Sequence, residues 1–537
     1  MTTALHAPAG TVPIAIIGAG FAGLGMAIRL RQEGREDFLL LEKNTDVGGT
    51  WWENHYPGCA CDIESHLYSF SFAPNPGWSR MFSPQPEIQR YLRDCAERHD
   101  LLPRIRFNTL VVGARYDEAA GLWLLRTADA TAVRAYMESR GLHPGDAIDW
   151  NDPALPPVST LKAQVVISGM GGLSTPAYPQ LEGLKDFRGK SFHSQNWDHD
   201  YDLAGKRVAV IGTGASSIQF VPQIAPKVAR LDLYQRTPPW IVPKPDRPVT
   251  RIERWLFRVL PFTQRFYRGG IYVFHELLGT AFVVNPRLMK LIQGLALRHL
   301  RRQIPDPELR RKVTPDYTIG CKRILISDDY YPALTRPNVA VITTGIREVR
   351  AHSIVTTDGV EREVDCIIFG TGFRATDPLP RGVIFGRNGQ DLLDAWQEGP
   401  EAYKGTTVAG FPNLFFIVGP NTGLGHNSMV YMIESQIAYI LDALKLMRDK
   451  RLRALEVRAD AQAAYNAKLQ RGLKHAIWSV GGCKSWYLLP NGKNVTLWPG
   501  YTWQFRRQTR RFDAAAYRLQ GEHVQAAGDS SLETQAA

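Results

Sequence analysis

The chain carries the same local pattern twice, and that repetition limits its fold more than any other feature. IAIIGAGFAGLGMAIRLRQEG (14–34) is a short apolar run, three glycines at Gly18, Gly20 and Gly23, and then a helical period that ends at Gly34. VAVIGTGASSIQFVPQIA (208–225) repeats it with Gly212 and Gly214, but Ser217 stands where the third glycine would be. An apolar run that breaks into a glycine turn and then a helix opens a parallel βαβ unit whose strand is buried on both faces. FLLLEKN and LDLYQRT supply each unit's second strand. VDCIIFGTGF (364–373) and FPNLFFIVGP (411–420) read as strands returning to the two units, the latter followed by a helix from about Asn427. The expected class is therefore α/β, with two Rossmann-like dinucleotide-binding domains.

Glycines at this spacing allow a tight turn and let the backbone approach a pyrophosphate at a helix N-terminus. What differs is the end of the second strand. Twenty-four residues after Gly18 stands Glu42; twenty-four after Gly212 stands Arg236. A carboxylate there accepts hydrogen bonds from ribose hydroxyls, whereas an arginine, with Thr237 beside it, suits a 2′-phosphate. The first turn is thus expected to hold FAD. Gly49, Thr50 and Trp51 of GGTWW would pass close to the flavin. The second turn, with Thr213 and Ser216, is expected to hold NADPH.

The 537 residues suit two or three domains. The expected division is 1–177 and 377–512 for the FAD domain, and 178–249 and 320–376 for the NADP domain. The 250–319 segment is read as a helical insertion in the second unit, with Asp306, Pro307 and Glu308 as an N-cap and first turn. Residues 513–537 are expected to be a disordered tail. The segment 129–158 is longer than the hairpin expected there and is read as altering an edge of the FAD domain or a subunit contact. The net charge of +12 comes without a nucleic-acid motif. The six cysteines are scattered, with no CxxC pair, so neither a metal site nor a dithiol centre is expected, and the usage suits a reducing cytosol. The longest apolar run, 270–284, is too short to span a bilayer and contains His275 and Glu276. A buried helix is the plain reading, and an interfacial one stays open. A soluble, cytoplasmic protein is the reading the sequence favours.

Two dinucleotides on one chain point to a flavin oxidoreductase. Without a CxxC pair to reduce, oxygen is the electron acceptor left. Between the two glycine turns, FRGKSFHSQNWDHD (187–200) shows neither a helix nor a strand period. Its Phe187, Gly189, His193, Trp197 and Asp198 match FxGxxxHxxxW(P/D), and the chain resembles the Baeyer–Villiger monooxygenases on this fingerprint. YPGCACDIES, YQRTPPW and GCKRILISDDYYPAL are also similar to that family, in matching order.

The resemblance implies conversion of hydrophobic ketones to esters or lactones with NADPH and O2 through a C4a-peroxyflavin, with sulfoxidation as a side activity. A flavin-containing monooxygenase acting mainly on amines or sulfides is the alternative. It further implies that the fingerprint links the two domains, with His193 at the hinge. Arg323 would be the active-site cation, which fits an oxyanion because a guanidinium stays charged when desolvated. Asp62 would pair with it beside the flavin. Lys322 would join Arg236 and Thr237 on the 2′-phosphate, Trp486 would contact the nicotinamide ribose, and Tyr68 and Val111 would be minor FAD contacts. His426 is expected only to line the pocket.

Overall fold

A computed structural model describes residues 5, 7–374, 381–483 and 485–521. The first glycine turn leaves strand Val12–Ile17, which lies between Phe38–Leu41 and Ser159–Ser168 with parallel pairing on both sides. These belong to an eight-stranded sheet that continues through the antiparallel strands Leu122–Asp129 and Thr109–Asp117 to Ile384–Phe385. The return strand Leu414–Phe416 pairs parallel with Ser159–Ser168. The second turn leaves Arg207–Ile211, in the middle of a five-stranded, all-parallel sheet. Its neighbours are Arg230–Tyr234 and the return strand Cys366–Phe369. In both sheets the turn thus opens at the carboxyl end of a central strand, where ligands bind in open α/β sheets.

The expected insertion is helical. Arg251–Val259, Pro261–Gly279, Met289–Gln303 and Pro307–Val313 are its α-helices, and Asp306 caps the last by accepting from Glu308 and Leu309 N–H. His275 and Glu276, which interrupt its longest apolar run, face inward. His275 Nε2 meets Glu64 Oε2 at 2.7 Å, and Glu276 accepts from Thr502 and Asn427. No helix among the described residues is long and apolar enough to cross a membrane.

Three expectations are corrected. Lys190–His193, inside the fingerprint, is the edge strand of the second sheet, paired in parallel with Cys366–Phe369. Its period was hidden because an edge strand has one ladder to satisfy and its alternation is cut short by Gly189. A Cβ on that glycine would lie 2.6 Å from the Asp365 carbonyl. The tail does not begin at 513: Tyr517–Gly521 pairs antiparallel with Leu452–Val457, and Tyr517 is buried. The remainder of that tail, and the boundary at 376, lie outside the described residues. Finally, Cys321 and Cys483 form a disulfide across 162 residues, so two of the six cysteines are not free. Long separation conceals such a pair from any reading of spacing.

The long segment after Asp129 folds as helix Ala130–Ser139, capped by Asp129, and then reaches the crossing between the domains. There His143 stacks on Tyr178 with centroids 3.9 Å apart, and Arg374 donates to the Gly145 carbonyl.

Candidate active site between two nucleotide modules

In the first turn, close packing explains each glycine. Gly18 has φ +94°, and a Cβ on Gly23 would fall 1.8 Å from the Gly18 carbonyl oxygen. Gly20 and Gly49 touch backbone to backbone, since a Cβ on Gly49 would come within 2.9 Å of Gly20 Cα. Glu42 is buried beside this turn. Its Oε2 accepts from Ala19 N–H at 2.6 Å and its Oε1 from Asn44 N–H at 2.9 Å. Burial raises its pKa, and the two backbone donors oppose that rise. Thr50 starts the short helix Thr50–Glu53, and Trp51 donates from its indole to Tyr68 OH at 3.3 Å. Val111 is half-buried, two residues along the strand from Thr109, whose N–H donates to the Glu42 carbonyl. Gly20, Glu42 and Gly49 thus meet at one turn, and Tyr68 packs on Phe21 of the helix that the turn opens.

The second turn departs from this. Ser217 is fully buried, and a Cβ on Gly370 would lie 1.9 Å from its Oγ. The missing third glycine is therefore compensated by a glycine immediately after the return strand. Thr213 Oγ1 donates to the Thr237 carbonyl at 3.1 Å, and Ser216 precedes the helix Ser217–Ile224. Arg236 is exposed and makes no hydrogen bond or ion pair with an acid among the described residues. Lys322 is brought beside it by Trp240 and Tyr317. Trp240 Nε1 donates to the Tyr317 carbonyl at 2.8 Å, Tyr317 OH donates to the Pro238 carbonyl, and the Lys322 ammonium lies over the Tyr317 ring. Burial lowers the Lys322 pKa first, and the neighbouring Arg236 charge lowers it further. Two cations that crowd one another on a helix-turn scaffold fit a bound phosphate.

Arg323 follows Lys322 and points the other way, into the first module. Its Nε donates to Asp62 Oδ2 at 2.7 Å and its Nη2 reaches the same oxygen at 2.5 Å. The side chains are only about one-third exposed, at 33% and 29%. Asp62 raises the arginine's pKa, so the guanidinium stays charged throughout the working range. The pair joins residues 261 apart. Each partner is anchored locally: Leu325–Ile326 pairs with Ile241–Val242, while Cys61 N–H donates to the Ser83 carbonyl.

Two contributors escaped the sequence reading. Tyr487 is buried against Arg323, and burial pushes its phenol up to about 12, so it keeps its proton. Trp486, by contrast, is 47% exposed and packs on Tyr487 with centroids 4.5 Å apart. The disulfide ties Cys321 to Cys483, so the strand of chain that bears Lys322 and Arg323 is covalently fixed to the loop that bears Trp486 and Tyr487. Gln219 is the second. From the second module's helix it accepts from Tyr56 OH and donates to the Ala60 carbonyl of the first. Neither residue belongs to a spacing motif; only their tertiary neighbours mark them.

The fingerprint does bridge the modules. His193 is fully buried, accepts from Gln195 N–H at 3.1 Å, and is held by burial at a pKa of about 4. Gln195 donates to Glu53 of the first module at 2.7 Å and to the Ser174 carbonyl. Trp197 packs between Phe192 and Phe220, and Phe220 meets Tyr56. Asp198 pairs with Lys190 at 2.5 Å, and Phe187 packs on the second sheet's core. His426 is buried beside Gly279 of the insertion and packs against Phe282.

Comparison with known proteins agrees with this geometry. Residues 16–84 match the NAD(P)-binding Rossmann-like domain and residues 158–384 the flavin-binding monooxygenase-like family. A Baeyer–Villiger monooxygenase of Pseudomonas aeruginosa is 62% identical over 507 residues, covering 94% of this chain and 91% of that protein. One from Streptomyces coelicolor is 48% identical over 95% of this chain and 92% of its own length. The fold matches the closed crystal structure of cyclohexanone monooxygenase with a TM-score of 0.80 at 27% identity, covering 96% of this chain and all of that one. A structure of OTEMO in complex with FAD and NADP gives a TM-score of 0.80 at 26% identity, over 96% of this chain and all of that one. The chain belongs to the Baeyer–Villiger monooxygenases.

Proposed function

We propose that this chain oxidises hydrophobic ketones to esters or lactones, holding FAD at the first turn and NADPH at the second. The overall change consumes ketone, O2, NADPH and a proton, and yields ester, NADP⁺ and water. When bound, the flavin takes hydride from the nicotinamide and activates dioxygen for insertion beside the carbonyl.

The protein's share is electrostatic and geometric. The observation that supports the reading is the Arg323–Asp62 contact at 2.7 Å, which joins a cation beside the second module to an acid of the first. A cation fixed there stabilises negative charge that develops on oxygen during the insertion. Asp62 orients the guanidinium and balances its partial burial, because a desolvated charge needs a partner. Tyr487 keeps its proton and covers the arginine, helping to exclude water. Arg236 and Lys322 bind the 2′-phosphate and so select NADPH over NADH. The inner side of the helical insertion, where Phe282 packs on His426, and the 421–430 segment supply a lining suited to hydrophobic substrates.

The test is Arg323→Ala in the FAD-loaded protein, following NADPH consumption, hydrogen peroxide and ester separately. Ester formation should fall by more than about 100-fold, the cost of one lost oxyanion-stabilising group. Flavin content should be unchanged. Ester formation at the parent rate in this variant would overturn the assignment.

A further inference from the structure

The helical insertion uses only one face on the rest of the enzyme. Inward, beyond His275 and Glu276, Arg268 donates to the His66 and Ser69 carbonyls and Gln264 to that of Asn75. Outward, the first helix exposes Ile252, Trp255 and Val259, spaced three and four apart along one stripe. The second exposes Phe262, Phe266, Val273 and Leu277 at the same period, with Phe266 83% accessible. Leu291 and Leu295 continue the pattern on the third. Of the nineteen large hydrophobic side chains exposed among the described residues, thirteen fall between 252 and 295. A monomeric protein surface does not gather apolar side chains this way without a use. Between the first two helices runs a groove of about 560 Å³ lined by Leu256, Phe257, Phe262, Phe266, Tyr267 and Ile271.

The charge around this face identifies what it meets. Residues 251–302 hold ten arginines and lysines and only two acids. Neither acid is free to offset them: Glu253 is held by Arg247 at 2.7 Å, and Glu276 is buried against Thr502. Arg258, Arg265, Lys290, Arg298 and Arg302 are all exposed beside the apolar stripes. A symmetric contact with a second copy would set this cationic rim against itself. An anionic lipid surface accepts both components, since apolar side chains enter the acyl boundary while arginines meet the headgroups.

We propose that the outer face of the insertion docks the enzyme on anionic bilayers, lying in the interface without spanning it. The test is vesicle flotation of the full-length, FAD-loaded protein with phosphatidylcholine alone and with phosphatidylcholine containing phosphatidylglycerol. The protein should float with the anionic vesicles, and raised salt should weaken the association. Arg258→Gln and Arg265→Gln should each reduce partitioning about fivefold, and Trp255→Glu with Phe266→Glu should abolish it. All variants should keep their flavin and turn over a water-soluble ketone at the parent rate, which separates lost docking from lost folding. Failure to float with either lipid would overturn the proposal, as would equal, salt-independent binding to phosphatidylcholine alone. So would a dimer, seen by light scattering, that the glutamate variants dissociate.

Discussion

The two glycine turns are built on one plan and differ where each meets a nucleotide. In the first, the residue that closes the site is an acid, buried and bonded into the turn through Ala19 and Asn44. In the second, it is a base that stands exposed, with a like charge beside it and no acid holding it among the described residues. The first arrangement makes the recognition residue part of the fold. The second leaves it at the surface. One strand, turn and helix plan delivers both, with Ser217 and Gly370 standing in for the third glycine of the first turn.

The sharpest break of this comparison is a methyl group. Gly23→Ala places a Cβ 1.8 Å from a backbone oxygen that cannot retreat, so the purified protein should retain no flavin absorbance. At the second turn, where Ser217 already occupies the position of Gly23, Gly214→Ala meets only the Gly370 carbonyl at 3.8 Å. It should change unfolding free energy by less than about 1 kcal/mol in a urea titration. Next comes selectivity. Arg236→Ala should raise KM for NADPH about tenfold to a hundredfold, the worth of one charge-assisted contact, with KM for NADH little changed. A parallel rise for both nucleotides would remove Arg236 from phosphate recognition. Gly370→Ala should destabilise the protein by about 1–3 kcal/mol through collision with Ser217, and adding Ser217→Gly should restore most of the loss.

A pH effect is smaller and shared between the modules. His66 and His426 on the first side and His193 at the bridge are each held by burial at a pKa of about 4, below the ordinary histidine value of about 6.5. The unfolded chain then binds more protons than the folded one between these values. Stability is complete above about 6.5 and is lost as pH falls towards about 4, by up to about 1.4 kcal/mol per histidine per unit of depression. Thermal unfolding across that window should show the decline, and His193→Gln should flatten it. An unchanged slope would mean His193 is protonated in the fold.

What the sequence made legible follows from the range of the interactions concerned. Gly18, Gly23, Glu42 and Arg236 could be read because strand, turn and helix are consecutive and their spacing is set by local geometry. The capping at Asp306 was legible for the same reason. Arg323 and Asp62 needed the family resemblance, since nothing in CDIES or GCKRILIS says that they meet. The strand at Lys190–His193 was missed because an edge strand carries one ladder and little alternation. Tyr487, Gln219 and the Ser217–Gly370 exchange were illegible for a further reason. Each acquires its role from a partner far along the chain, and no local period records it.

The disulfide has a consequence in terms of connectivity. Cys321 and Cys483 close the chain into a covalent ring. Both return strands, Cys366–Phe369 of the second sheet and Leu414–Phe416 of the first, lie within it. The last strand of each nucleotide module is therefore threaded on the same loop. A single backbone cut anywhere inside that ring leaves one molecule rather than two, with the arginine and the loop that covers it still joined.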